Sequence, residues 1–336
     1  MKKLITLVLM MFTILFTVSA QGAKEAAAGD DSLKIGISKL MAHPALDSIE
    51  NAIIEYITEI GINAEFETQN ANGEISTAAS IAQLFKDEEK DIVVGIATPT
   101  AQALANVFDD IPVVYATVTD PEEAGLTGLP NVCGTSDMVP VAVHLDLIEE
   151  ITGAETVGMV YTSAEANGIT LMEAMKSACD EKGVELVTAS VSNSAEVRQA
   201  AESIINRVDA MYVATDNTVI SAITSLSDVC AAHSIPLFSA DVTSAFGTQV
   251  LLAGGFDYYQ SGLLTGQVIE RILNGESPEE IGVVYLENLE LYINIDEAER
   301  LGITIPESIS ADAKYIIRNG QELALSTTAA RKGTGL

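Results

Sequence analysis

Residues 91–108 read DIVVGIATPTAQALANVF. The first seven form a short β-rich run. From Thr100 onward, apolar residues fall three and four apart, the spacing of an amphipathic helix over 100–108. The same alternation extends in both directions. Strand patterns are expected at 34–38, 64–68 and 112–118, with helical patterns at 44–60 and 75–86. Further along, strands are expected at 156–161, 185–190, 210–214, 236–239 and 250–255, separated by helices at 168–182, 194–206 and 218–233 and followed by one at 258–274. Alternation of this kind implies an α/β fold of parallel sheets with helices on both faces. Two series of four or five strands point to two similar lobes, with a TIM barrel as the alternative on strand count. The Gly-, Asp- and Pro-containing stretch 131–140 reads as a connector between two sheets and favours the two-lobe arrangement.

Composition narrows the function. The chain has 336 residues, a formal net charge of −31 and no Trp; 48% of its residues are hydrophobic and 19% charged, which excludes a disordered chain. So negative a chain is unsuited to nucleic acid, whose phosphates are met mostly by Lys and Arg, and to anionic lipid headgroups. Cys133, Cys179 and Cys230 have no CxxC spacing and read as free, buried thiols. At the start, Lys2 and Lys3 precede the uncharged run 4–18 and the small-residue site Val18-Ser19-Ala20, the pattern of a secretory signal peptide over 1–20. A cut after Ala23 and an uncleaved anchor are the alternatives. No Cys follows for acylation, and 21–31 read as a flexible leader. A soluble, periplasmic or cell-surface monomer is therefore expected.

In open α/β sheets, ligands bind beyond the carboxyl ends of the strands. Those ends carry Lys39 and His43, Thr98 and Thr100, Thr119, Glu165 and Asn167, Asp216 and Asn217, and Asp241. No Lys or Arg occurs between Asp91 and Met175 or between Val208 and Glu270, windows that contain all of these positions except the first two. A phosphate or dinucleotide site would use such cations or a Gly-rich loop, and neither GxGxxG nor GxxxxGK[ST] follows a strand. Carboxylates at Glu165 and Asp216 suit an ammonium, and hydroxyls at Thr98 and Thr100 with Lys39 suit a carboxylate, which together describe an amino acid. Simple N-capping is the competing account of Thr98, Asp216 and Asn217. A packed or solvent-facing role competes for His43, while His144 and His233 fall in helical patterns and read as structural. No GxSxG, HExxH or metal-spaced cluster appears, so neither an enzyme, a cofactor nor a metal is expected.

Several stretches carry a family likeness: 35–38 with His43-Pro44-Ala45-Leu46-Asp47, then 97–102, 111–114, 118–121 with 124–126, 165–167, 215–219, and Ile293-Asn294 with Ala298 and 301–303. In this order they resemble bacterial ABC-transporter substrate-binding proteins of the group that includes tryptophan- and tyrosine-binding members. The resemblance implies a type I periplasmic-binding-protein fold, two Rossmann-like lobes joined by three crossovers. Lobe one is expected at 32–138 plus 257–277, lobe two at 139–256 plus 278–318, and a tail at 319–336. It further implies that Thr98, Glu165 and Asp216 touch the ligand, that an aromatic amino acid is bound by closure of a hinge, and that an ABC permease with its ATPase receives it. A ligand sensor for a receptor or histidine kinase, and a nucleoside or sugar carrier, are the alternatives.

Overall fold

A computed structural model describes residues 32–324, residue 288 excepted; the expected signal peptide and leader lie outside the described residues. The chain first builds β1 (Leu33–Lys39), α1 (Pro44–Glu59), β2 (Ala64–Asn70), α2 (Ile75–Asp87), β3 (Ile92–Ile96), α3 (Thr98–Ala105), β4 (Val113–Ala116) and β5 (Val132–Ser136). It crosses to α4 (Val141–Thr152), β6 (Thr156–Thr162), α5 (Ala166–Lys182), β7 (Glu185–Val191), α6 (Val197–Ile204), β8 (Ala210–Val213), α7 (Asn217–Ser221), α8 (Ile223–His233), β9 (Leu237–Ser239) and β10 (Val250–Gly255). A return passage supplies α9 (Tyr258–Leu273), α10 (Pro278–Ile281) and β11 (Val283–Tyr285). A last crossing gives β12 (Glu290–Asn294), α11 (Ile295–Leu301), α12 (Glu307–Ser310), β13 (Tyr315–Arg318) and β14 (Gln321–Ala324).

Two sheets result, and the barrel alternative falls. The first has the order β11-β5-β4-β3-β1-β2 and is parallel throughout. The second runs β14-β13-β12-β10-β9-β8-β6-β7, parallel from β10 to β7 and mixed at its other edge. All five residues of β3, β4's four and all of β5 are buried, because helices cover both faces of the sheet.

Several boundaries differ from the sequence reading for identifiable reasons. Within the expected connector, Val132–Ser136 form β5, an inner strand hidden by its shortness and its Gly134. A Cβ on Gly134 would lie 2.0 Å from the Tyr115 carbonyl oxygen, so only glycine allows that pairing. The crossing itself is confined to 137–140. Residues 278–318 do not all belong to the second lobe: β11 pairs with β5 in the first sheet, which moves the third crossing to 286–289. The expected tail also contributes structure, since Gln321–Ala324 hydrogen-bond to β13. The helix expected over 218–233 breaks at Ala222 into α7 and α8, and the one over 194–206 is an α-helix flanked by 3-10 turns. The three cysteines are free and buried, and burial pushes each thiol well above its usual range.

Helix α9 seats the second crossover on the first lobe by packing along α1. The helices approach closely because Gly262 has no side chain: a Cβ there would meet the Ile49 carbonyl oxygen at 2.5 Å and the Ala52 Cβ at 2.6 Å. Gly262→Ala is expected to cost about 1–3 kcal/mol of stability through this overpacking, read as a lowered urea midpoint with unchanged slope.

Candidate functional site

The carboxyl ends of the parallel strands of both sheets face one another, and a cavity of about 340 Å³, mouth included, lies between them. The first lobe and its crossovers contribute His43, Ala45, Leu46, Thr117, Thr119, Asp137 and Tyr258. The second contributes Asn167, Thr215, Asn217, Ile220 and Asp241. The lobes touch around it: His43 Nε2 lies 3.3 Å from Asn217 Oδ1, α3 approaches α5, and α1 approaches the turn at Thr243–Ala245. Two non-glycine residues at the ends of β3 and β4, Ala97 and Thr117, hold positive φ of 81° and 54°, strain of the kind that collects at ligand sites.

Five of the residues singled out in the sequence line this cavity: His43, Thr119, Asn167, Asn217 and Asp241. The other five do not, for reasons visible in their bonds. Lys39 Nζ is held at 2.5 Å by both Asp47 and Glu50. Thr100 Oγ1 donates to the Ile96 and Ala97 carbonyls. Thr98 Oγ1 is buried without a partner at the start of α3, off the cavity wall. Asp216 caps α7 by accepting from Val219 N and takes Thr162 N at 2.6 Å on its other oxygen; burial, with the nearby Glu165 charge, pushes its carboxyl up to about 8. Glu165 accepts from Thr218 N and Oγ1 (3.0 and 2.7 Å), from Asn217 Nδ2 at 2.7 Å and from Asn167 Nδ2 at 3.3 Å. Neither Glu165 nor Asp216, expected to face an ammonium, lines the cavity; the hydrogen bonds of both carboxylates run to groups of the second lobe.

The carboxylates that do line the cavity are Asp137 and Asp241. Asp137 lies on the first crossover and accepts from Thr119 Oγ1 and, at 3.2 Å, from the Tyr258 hydroxyl at the start of α9. Burial pushes its carboxyl up to about 7; the two hydrogen bonds oppose this and the Asp241 charge adds to it. Asp241 follows β9 and accepts from Thr243 N, Ser244 N and Ser244 Oγ. No Lys or Arg lines the cavity, and burial holds His43 below its ordinary pKa and therefore neutral. His43 Nδ1, Asn167 Oδ1 and Thr215 Oγ1 are buried without hydrogen-bond partners, which is costly unless a ligand supplies them. The sequence reading missed Asp137 because its strand looked like a connector. Thr117, Thr215 and Tyr258, which also line the cavity, are not among the residues singled out in the sequence. Among the described residues, no group of acids, His and Cys is arranged to hold a metal ion.

The profile of the ABC transporter substrate-binding proteins matches residues 34–317. The chain belongs to that family. Family members bind substrates for transport and are not an enzyme family. A tyrosine-binding protein of Clostridioides difficile is 33% identical over 293 residues, covering 84% of each chain. Among solved structures, the ABC domain from Streptococcus pneumoniae in complex with L-Trp is 30% identical, covers 85% of this chain and all of that one, and superposes with a TM-score of 0.81. The ligand-free, open form of a substrate-binding protein with adhesive properties from Clostridium difficile is 32% identical and covers 85% of this chain and 99% of that one, yet superposes with only 0.64. The fold of this substrate-binding protein is that of the type I periplasmic binding proteins.

Proposed function

We propose that this protein captures a free amino acid between its two lobes, outside the cytoplasm, and delivers it to an ABC permease and its ATPase. The observation that carries the reading is the pairing of Asp137 and Asp241 in one cavity without a cation. Two buried carboxylates on opposing lobes repel unless one of them takes up a proton or a positive group lies between them, and an α-ammonium is such a group. The Thr215 hydroxyl, free of partners, is a donor for the ligand carboxylate. Ala45, Leu46, Ile220 and Tyr258 give the side chain an apolar surround, which suits an aromatic or aliphatic amino acid. The tyrosine-binding relative and the tryptophan complex agree with this.

Closure follows from the same geometry. A ligand touched by both lobes stabilises the shut state through contacts absent when the lobes part. The better superposition on the tryptophan complex than on the open form supports the shut state here. No described helix is long and apolar enough to cross a membrane.

The test is a thermal-unfolding screen of the mature protein with the twenty amino acids, their N-acetyl forms, nucleosides and sugars. An amino acid at a hundred times its Kd is expected to stabilise by about 2.7 kcal/mol, and its N-acetyl form not at all. Equal stabilisation by the N-acetyl form, or a response to sugars or nucleosides alone, overturns the assignment.

A further inference from the structure

Glu165 does not line the cavity, yet its bonds determine what two cavity side chains present. Asn167 Nδ2 donates to the Thr215 carbonyl at 3.0 Å and to Glu165 Oε2 at 3.3 Å. A carbonyl oxygen only accepts, so the amide has one orientation, and Asn167 Oδ1 is left as a buried acceptor without a partner. Asn217 is turned the same way: its Nδ2 donates to Glu165 Oε2 at 2.7 Å, leaving Oδ1 toward His43 Nε2 at 3.3 Å. Because Asn217 Oδ1 can only accept, His43 must carry its proton on Nε2, and its Nδ1, buried and unpartnered, is a second bare acceptor.

We infer that Glu165 is a positioning residue that sets the hydrogen-bond polarity of the cleft, turning Asn167, Asn217 and, across the lobes, His43 so that they offer acceptors and the ligand must offer donors. The inference deepens the amino-acid reading and rests on it for the ligand class. A zwitterion enters such a cleft ammonium first. An amino acid whose side chain also carries an O–H or N–H, as in tyrosine and tryptophan, can satisfy a further acceptor that phenylalanine leaves empty. The backbone amide and hydroxyl of Thr218 fill Glu165 Oε1, so the carboxylate stays fixed while Oε2 takes both side-chain amides.

The chain holds three histidines, which makes their ring nitrogens separable by ¹⁵N NMR. His233 provides an internal contrast, because its Nδ1 faces the Val229 carbonyl at 2.9 Å and must be the protonated nitrogen. In the shut protein, saturated with whichever ligand of the thermal screen stabilises it, His43 is expected to show the opposite tautomer, with its proton on Nε2 and none on Nδ1. Glu165→Gln brings an amide of its own to the junction. It is expected to mix the His43 tautomers and weaken tyrosine binding about tenfold. A bare His43 Nε2 in the unaltered protein overturns the inference, whether or not the variant folds. So does a Glu165→Gln protein that melts earlier but keeps both tautomer and affinity, the signature of a purely structural role. The tautomer is read with whichever class of ligand binds, so the two ideas fail separately. The predicted tautomer with a sugar or nucleoside bound defeats the function, and intact amino-acid binding with the reverse tautomer defeats the inference.

Discussion

Asp241→Asn is expected to weaken amino-acid binding by roughly tenfold to a hundredfold while leaving the melting temperature within a few degrees of the unaltered protein. The two halves of that expectation have separate causes. Oδ1 of Asp241 takes Thr243 N at 2.8 Å and Ser244 N at 3.2 Å, and Oδ2 takes Ser244 Oγ at 2.5 Å. These neutral donors hold the carboxylate at the cavity wall without cancelling its charge. An asparagine keeps an acceptor for both backbone amides, and Ser244 Oγ can accept from its Nδ2, so the turn at Thr243–Ala245 retains its cap. What disappears is the charge, and a hydrogen bond to a charged partner contributes about 1.5–3 kcal/mol. Each 1.4 kcal/mol is a factor of ten in Kd. Calorimetry with the best ligand of the screen reads the loss directly, and a deaminated analogue separates its source. The analogue should bind the variant no worse than the unaltered protein, since it has no ammonium to lose. An unchanged Kd for the amino acid itself would remove Asp241 from the site.

The contrast between Asp241 and Asp216 shows where sequence reasoning reaches its limit. Both aspartates follow strands of the second sheet, and both precede short helical turns. The strand ends are legible because β3, β4 and β8, buried on both faces, read as continuous apolar runs whose ends are unmistakable. Within a region, however, the distinction between a cap and a ligand contact depends on a rotation of a few ångströms. Asp216 turns inward to Thr162 N and Val219 N, and Asp241 stays at the wall. Nothing in the spacing of residues encodes that choice. Asp137 was lost for a different reason: β5 has five residues, one of them Gly134, and its burial comes from partners 19 and some 150 positions away in the chain. The absence of Lys and Arg from the strand ends, in contrast, needed no coordinates. It holds for the cavity too, where the lining acids are Asp137 and Asp241.

Asp137 carries the last expectation, a dependence of ligand-free closure on pH. In this structure its carboxyl is pushed from the ordinary 3.8 to about 7, chiefly by burial. The groups facing it account for the direction. Tyr258, its own pKa raised well above 10 by burial, and Thr119 only donate hydrogen bonds; His43 is kept neutral by burial; Asp241 contributes like charge from the opposite lobe. When the lobes part, water returns to Asp137 and its carboxyl regains an ordinary pKa. The shut form therefore binds a proton that the open form releases. Through Asp137, closure without ligand is then favoured in full below about pH 4, loses about tenfold per unit as pH rises, and has lost this contribution above about pH 7; His43, whose pKa burial lowers in the shut form, opposes this below its ordinary 6.5. The whole span is worth roughly 4 kcal/mol. The proton in this scheme occupies the electrostatic role of the ligand ammonium, so saturating amino acid should abolish the dependence. Small-angle scattering of the ligand-free protein is expected to show a smaller radius of gyration at pH 5.5 than at pH 8.5, and equal radii once ligand is added. Asp137→Asn, a neutral side chain at every pH, should remain compact across the range without ligand. A radius that is constant with pH in the unaltered protein, or one that shrinks as pH rises, would mean that the opposed carboxylates do not govern the hinge.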